Sequence, residues 1–249
     1  MTRVLSEIKL TAVILPVFNE SRVIESTVQA VKTFAFKNPD YYFLFVDDGS
    51  SDDTAEIIRA AIGGQSQPNI AFLHYEQNMG KGHAIKSGFK KVKADALCFI
   101  DSDLAYSLDH LNIIKKQLQS SDVVIGSRKI SSVRENSHHL TRRNMRTCFN
   151  KLSNVILKLP FRDTQAGLKG LRFDAAQKIL ERSDIKGFGF DVELLYLARK
   201  FGLSITEIDA KESELHSYKQ DKLKLLKDSI IMFFNLFFIR WQDFLGKYD

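Results

Sequence analysis

Two hydrophobic patterns alternate along the first half of the chain. Short, continuous apolar runs occur at Leu10–Leu15, Tyr41–Val46, Ile70–His74, Ala96–Ile100 and Val123–Ile125. Runs of this length without polar alternation suit strands buried on both faces. Between them, Glu20–Phe34, Asp52–Ile62, Lys81–Val92 and Leu108–Leu118 read as helices, the first from the helical spacing of Val23, Val28 and Val31. Ser51 or Asp52 offers a cap for the second, and the third is entered through Gly80 and Gly82. Strands alternating with helices predict βαβ units, a mostly parallel central sheet and helices on both of its faces.

In such a sheet, ligands bind beyond the carboxyl ends of the strands. Four of those ends read Pro16-Val17-Phe18-Asn19-Glu20, Asp47-Asp48-Gly49-Ser50, Asp101-Ser102-Asp103 and Gly126-Ser127-Arg128. Three carry carboxylates and the fourth ends in an arginine, so polar chemistry gathers where the architecture expects a site.

After Arg128 the pattern loosens. Thr141–Lys158 reads as a basic helix, Asp163–Gly170 as a polar, glycine-bearing loop, Asp174–Arg182 and Asp191–Phe201 as helices, and Ser204–Ile208 as a short strand. Lys222–Lys247 plots as a helix with Lys224, Asp228, Asn235 and Gln242 on one narrow polar stripe. Phe233, Phe234, Phe237, Phe238, Trp241 and Phe244 spread around the rest. A helix apolar over most of its circumference needs cover from its own core, a second subunit or a membrane interface. The expected organisation is one domain over 1–220, in two halves (1–127 and 128–220), followed by an amphipathic helix over 221–249.

Composition narrows the class. With 249 residues, 44% of them hydrophobic, the chain can bury one large α/β core. Its two cysteines exclude a disulfide framework and a four-thiolate zinc site, and Cys98 sits in an apolar run like a small core residue. Neither a secretory leader nor a membrane-spanning run is visible, so a soluble or peripheral protein is expected, in a reducing compartment. The net charge is +6, and Arg128–Lys151 alone holds seven cations against one acid, Glu135. That arm is either a solvated face or a site for an anionic partner.

The sharpest chemical feature is Asp101-Ser102-Asp103. Two carboxylates one residue apart in a turn can share one hard divalent cation, whose remaining shell is filled by substrate phosphates and water. Such a cation stabilises charge on a departing diphosphate. A carboxylate at the tip of the second strand can accept from a base N–H or a ribose hydroxyl. Asn78-Met79-Gly80-Lys81-Gly82-His83-Ala84 brings backbone amides and a cation to a helix start, a setting for phosphate, although the Walker A spacing is absent. The histidines form no ligand spacing, and no G-x-S-x-G is present.

Taken together, these segments resemble the family 2 glycosyltransferases of GT-A fold. Arg162-Asp163-Thr164-Gln165-Ala166-Gly167-Leu168-Lys169 and Phe190-Asp191-Val192-Glu193-Leu194-Leu195-Tyr196 look like the dolichyl-phosphate β-glucosyltransferases among them. The resemblance runs from about Leu10 to Glu207. Unlike eukaryotic members, this chain is expected to carry no N-terminal membrane anchor.

The resemblance implies a set of roles. Pro16, Val17, Asn19, Glu20 and Asp48 would bind the nucleoside end of the donor, Lys81 would lie beside the donor, and Gln165 near its sugar. Asp101 and Asp103, with Ser102 between them, would hold Mg²⁺ or Mn²⁺ and the diphosphate. Asp163 and Asp191 would lie about the reacting centre. Arg128, Arg134, Arg142 and Arg143 would face the acceptor phosphate. The implied reaction moves glucose from UDP-glucose to a polyprenyl phosphate, with inversion, at the cytoplasmic face of a membrane. The tail helix and the basic arm would supply the membrane contact.

A phosphate acceptor is already an anion and hardly needs a general base, whereas a sugar hydroxyl would need one, with Asp191 the candidate. GDP-mannose as donor, a polysaccharide hydroxyl as acceptor, and a non-catalytic basic module binding anionic membrane are the competing readings. The gathered carboxylates argue against a nucleic-acid partner, and a homo-oligomer is compatible with the apolar tail.

Overall fold

The computed structural model describes residues 6–63, 68–128, 137–210 and 222–249, the backbone alone over 137–146 and 222–229. Five strands fall where the apolar runs predict them: β1 (Thr11–Val17), β2 (Tyr41–Asp48), β3 (Ile70–Tyr75), β4 (Ala96–Ile100) and β5 (Val123–Arg128). The helices between them are α1 (Ile24–Lys37), α2 (Thr54–Gly63), α3 (Lys81–Phe89) and α4 (His110–Gln117). Beyond β5 come α5 (Ser137–Leu157), β6 (Leu168–Arg172), α6 (Phe173–Arg182), α7 (Phe190–Lys200), β7 (Ile205–Ala210) and α8 (Lys222–Phe244).

All seven strands form one sheet in the order β3-β2-β1-β4-β6-β5-β7. β6 runs antiparallel to both of its neighbours, β4 and β5, and every other pairing is parallel. The carboxyl ends of β1, β2, β4 and β5 therefore open on one edge. The sheet crosses the 127/128 division, since β5 lies between β6 and β7.

Alternation along the buried strands feeds two cores. Ala12, Ile14, Val46, Leu97 and Phe99 pack on the face covered by α3 and α5–α8. Val13, Leu15, Phe45, Cys98 and Ile100 pack on the other, with α1, α2 and α4. Burial pushes the Cys98 thiol up to about 12, as an inert core residue requires.

Two expectations change. The first helix begins at Ile24 rather than Glu20, because Asn19 takes a positive φ (52°) and the Glu20 carbonyl accepts from the amides of Val23 and Ile24. The polar loop expected over Asp163–Gly170 ends at Gly167, since Leu168 starts a fully buried interior strand. Its lysine and glycine hid it: Gly170 lets Ile114 approach within 2.2 Å of where a Cβ would sit, and Lys169 is paired inside the protein.

The structure also settles which side of the tail helix the core covers. Of its polar stripe, Asn235 and Gln242 face inward. Gln242 is buried and donates to Asp184 (2.7 Å), and Asn235 lies against Gly189. Leu236 and Ile239 join the core beside them. The aromatic surface faces out, with Phe234 64%, Trp241 58% and Phe244 81% exposed. No helix among the described residues is long and apolar enough to cross a membrane.

Candidate active site

The strand-end loops are stitched together before any ligand is considered. At the β1 end, the Asn19 amide donates to Ser50 Oγ (2.9 Å), the Ser51 amide to Asn19 Oδ1 (2.8 Å), and the Glu20 amide to Thr54 Oγ1 (2.9 Å). Pro16 is half-buried, Val17 buried, Asn19 exposed and Glu20 half-buried. Asp48, at the β2 end, is buried and accepts four hydrogen bonds. Tyr75 Oη (2.6 Å) and the Met79 amide (2.9 Å) reach one oxygen, Asn78 Nδ2 (3.0 Å) and the Gly80 amide (2.7 Å) the other. Asp48 thereby fixes the segment that delivers Lys81. Gly80 is needed there: its φ is +98°, and a Cβ would meet the Lys186 carbonyl oxygen at 2.6 Å.

Lys81, Asp101, Arg128, Gln165, Phe188, Asp191 and Met232 line one cavity of about 190 Å³. Lys81 stands at the first position of α3, and its ammonium lies 2.9 Å from Asp101 Oδ1 and 3.1 Å from Asp191 Oδ2. Burial works against that charge, but Asp101 and Asp191 hold it above the ordinary lysine range. Asp191 lies in the first turn of α7 with a nearly buried carboxylate, whose other oxygen meets Lys169 Nζ at 2.6 Å. Burial alone would raise its pKa; Lys169, then Lys81, bring it below the usual carboxylate range. Arg128 grips Asp163 through Nε and through Nη2 (2.8 Å), and Asp163 also accepts from the Gln165 amide (3.1 Å).

The turn after β4 is shaped by its neighbours. Ser102 is buried, its carbonyl accepting from Thr27 Oγ1 (2.7 Å), and Asp103 accepts from the Ala105 amide (3.1 Å). The Asp101 carboxylate lies on Gly167, where a Cβ would stand 1.7 Å from Oδ2. Among the described residues, no cluster of three or more His, Cys, Asp or Glu could hold a metal ion alone. The donor set suits a hard cation that arrives with a diphosphate, because magnesium takes one or two carboxylates and completes its shell with phosphate and water. Asp101 lines the cavity with 37% of its side chain exposed.

The structure thus brings Lys81, Asp101, Arg128, Gln165 and Asp191 to one cavity, with Asp163 behind Arg128. The 16–20 loop lies with the β2 end. Arg134 falls outside the described residues, as do the side chains of Arg142 and Arg143. Sequence reasoning gave no role to Lys169, Gly167, Phe188 or Met232. A lysine inside the otherwise small and apolar run Ala166–Leu171 is a signal for the first; only the folded chain brings Met232, from the last helix, to Gln165 (3.7 Å).

The model of glycosyl transferase family 2 matches residues 12–180. A dolichyl-phosphate beta-glucosyltransferase of Dictyostelium discoideum is 29% identical over 248 residues, covering 94% of this chain and 75% of that protein. The enzyme of the same name from Saccharomyces cerevisiae is 29% identical over 259 residues, covering 95% and 76%. Among solved structures, Mycobacterium tuberculosis glucosyl-3-phosphoglycerate synthase, in complex with Mn²⁺, uridine diphosphate and phosphoglyceric acid, is similar with a TM-score of 0.67 and 17% identity. That match covers 96% of this chain and 78% of that one, and shows the shared GT-A fold.

Proposed function

The chain belongs to glycosyl transferase family 2 and is a hexosyltransferase; from that premise we propose that it moves glucose from UDP-glucose to a polyprenyl phosphate at the cytoplasmic face of a membrane. The state of Asp191 carries this reading. Both of its oxygens are held by ammonium groups, so it is a poor general base. A sugar hydroxyl would need such a base, whereas a phosphate monoester is already an anion near neutral pH. The names of the D. discoideum and S. cerevisiae relatives support a dolichyl-type phosphate and glucose.

The cavity suits an amphiphilic acceptor. Lys81 and Arg128 line its charged part, and Phe188 and Met232 give it an apolar side built partly on α8. The acceptor phosphate approaches Arg128 and the basic arm that follows, including Arg134, Arg142 and Arg143; guanidinium groups suit phosphate through bidentate geometry. Pro16, Val17, Asn19, Glu20 and Asp48 shape the nucleoside end, with 1–127 serving the donor and 128–220 the acceptor. Lys81 faces the diphosphate and Gln165 the sugar. Asp101 and Asp103 would hold Mg²⁺ or Mn²⁺, which would supply stabilisation of the charge on the leaving diphosphate. In-line attack on an α-linked donor gives a β-linked product.

The outward face of α8 supports the membrane contact, with aromatic groups for the interface and two further exposed cations, Arg240 on the helix and Lys247 just beyond its end. A variant carrying Phe234→Ser, Phe237→Ser and Trp241→Ser loses binding to anionic vesicles in flotation while keeping its melting temperature. Retained flotation removes the helix from the membrane reading.

The deciding experiment measures transfer of labelled sugar into lipid-extractable product. UDP-glucose and GDP-mannose are supplied separately with polyprenyl phosphate and Mg²⁺, with and without chelator. Chelator-sensitive label from UDP-glucose is the expected result. Nucleotide release with a different acceptor, and no label in lipid, rejects the polyprenyl phosphate.

A further inference from the structure

Lys169 is a fully buried lysine in the middle of a seven-stranded sheet. On β6 it sits in register with Phe99 of β4 and Ile125 of β5, and its side chain points to the α7 side of the sheet. Its ammonium donates to the Ala166 carbonyl (2.6 Å) and to Asp191 Oδ1 (2.6 Å). From there charges alternate outward to the cavity: Asp191 Oδ2 lies 3.1 Å from Lys81, and Lys81 lies 2.9 Å from Asp101. Both ammoniums lie beside the Phe99 ring, 5.7 and 5.8 Å from its centroid.

We propose that Lys169 is a positioning residue for the transfer: it holds one oxygen of Asp191 from inside the sheet, so that Asp191 shares Lys81 with Asp101 instead of capturing it. Packing alone gives no reason for an ammonium here, because well-packed apolar residues in place of a buried ion pair are often as stable or more so. Removing only the lysine leaves a buried carboxylate with a single cation. That carboxylate draws Lys81 inward with both oxygens, and Lys81 leaves the cavity edge where Asp101 stands. The inference rests on the glycosyl-transfer reading, but not on which acceptor is used.

The test compares Lys169→Met, Asp191→Asn and the double variant in the full-length enzyme, with kcat expressed per uridine diphosphate-binding site counted by calorimetry. Lys169→Met lowers kcat about tenfold or more, while the donor KM moves less than threefold. In the Asp191→Asn background the same substitution adds less than a twofold loss, because the residue through which Lys169 acts is gone. Lys169→Arg, which restores a cation, recovers part of the loss. If Lys169→Met does not fold, Lys169→Gln, neutral but still able to donate one hydrogen bond, is read the same way. An unchanged kcat per binding site in the single variant overturns the proposal, as does a full additional loss in the Asp191→Asn background. A wild-type enzyme that transfers sugar only to another acceptor rejects the polyprenyl phosphate, and the Lys169 comparison is then made with that acceptor.

Discussion

Asp48 and Asp191 are equally buried, and each fixes a segment or side chain next to Lys81, yet they are satisfied in opposite ways. Around Asp48 all four donors are neutral: a phenol, an amide side chain and two backbone amides. Backbone donors cannot move without moving the chain, so that region is a fixed scaffold. Around Asp191 the donors are two lysines, one reaching from the sheet and one shared with Asp101. Side-chain cations can be redistributed when a charged substrate arrives. One region therefore sets backbone position and the other sets charge.

Substitutions separate the two regions, and the largest effects belong to the charged one. Asp101→Asn and Asp103→Asn each lower transfer by about 1,000-fold or more, the scale expected when stabilisation of developing charge is lost; full activity in both variants would dismiss the metal assignment. Gly167→Ala leaves no room for the Asp101 carboxylate and lowers kcat about 100-fold through misplacement, at near-normal stability. The check is kcat against melting temperature in one preparation.

On the scaffold side the loss appears in stability. Asp48→Asn turns an acceptor of four hydrogen bonds into one whose amide faces donors. It costs about 2 kcal/mol in urea unfolding and loosens nucleotide binding with it. Activity loss with unchanged stability would place Asp48 on the charged side of the comparison. The smallest effect is expected at Tyr248→Phe. Tyr248 is buried and donates to Glu193 (2.6 Å), and Glu193 accepts the amides of Asp184 and Ile185 next to the α3 entrance. Loss of that hydroxyl costs about 1 kcal/mol and leaves kcat unchanged. A large fall in kcat would show that the C-terminal end reaches the cavity chemistry.

Much of this was legible in the sequence wherever one physical signal dominated. The apolar runs gave the five strands of the first half, and their ends marked the edge where Asp48, Asp101 and Arg128 stand. β6 was not legible: a strand holding Lys169 and Gly170 looks polar until its neighbours are known. For α8 the pattern was legible and the orientation was left open. Periodicity locates a polar stripe but does not say whether Asp184 and Gly189 wait opposite it.

By itself, then, the sequence determined the alternation of strands and helices, the carboxylates at the strand ends, the basic arm after Arg128 and a tail with a wide aromatic surface. These follow from local periodicity and composition. Tertiary structure alone decided that Lys169 stands behind Asp191, that Gly167 lies under Asp101, and that α8 turns Asn235 and Gln242 inward. Each joins residues far apart in the chain. Partnership between buried charges depends on distance in space, which no spacing along the sequence records.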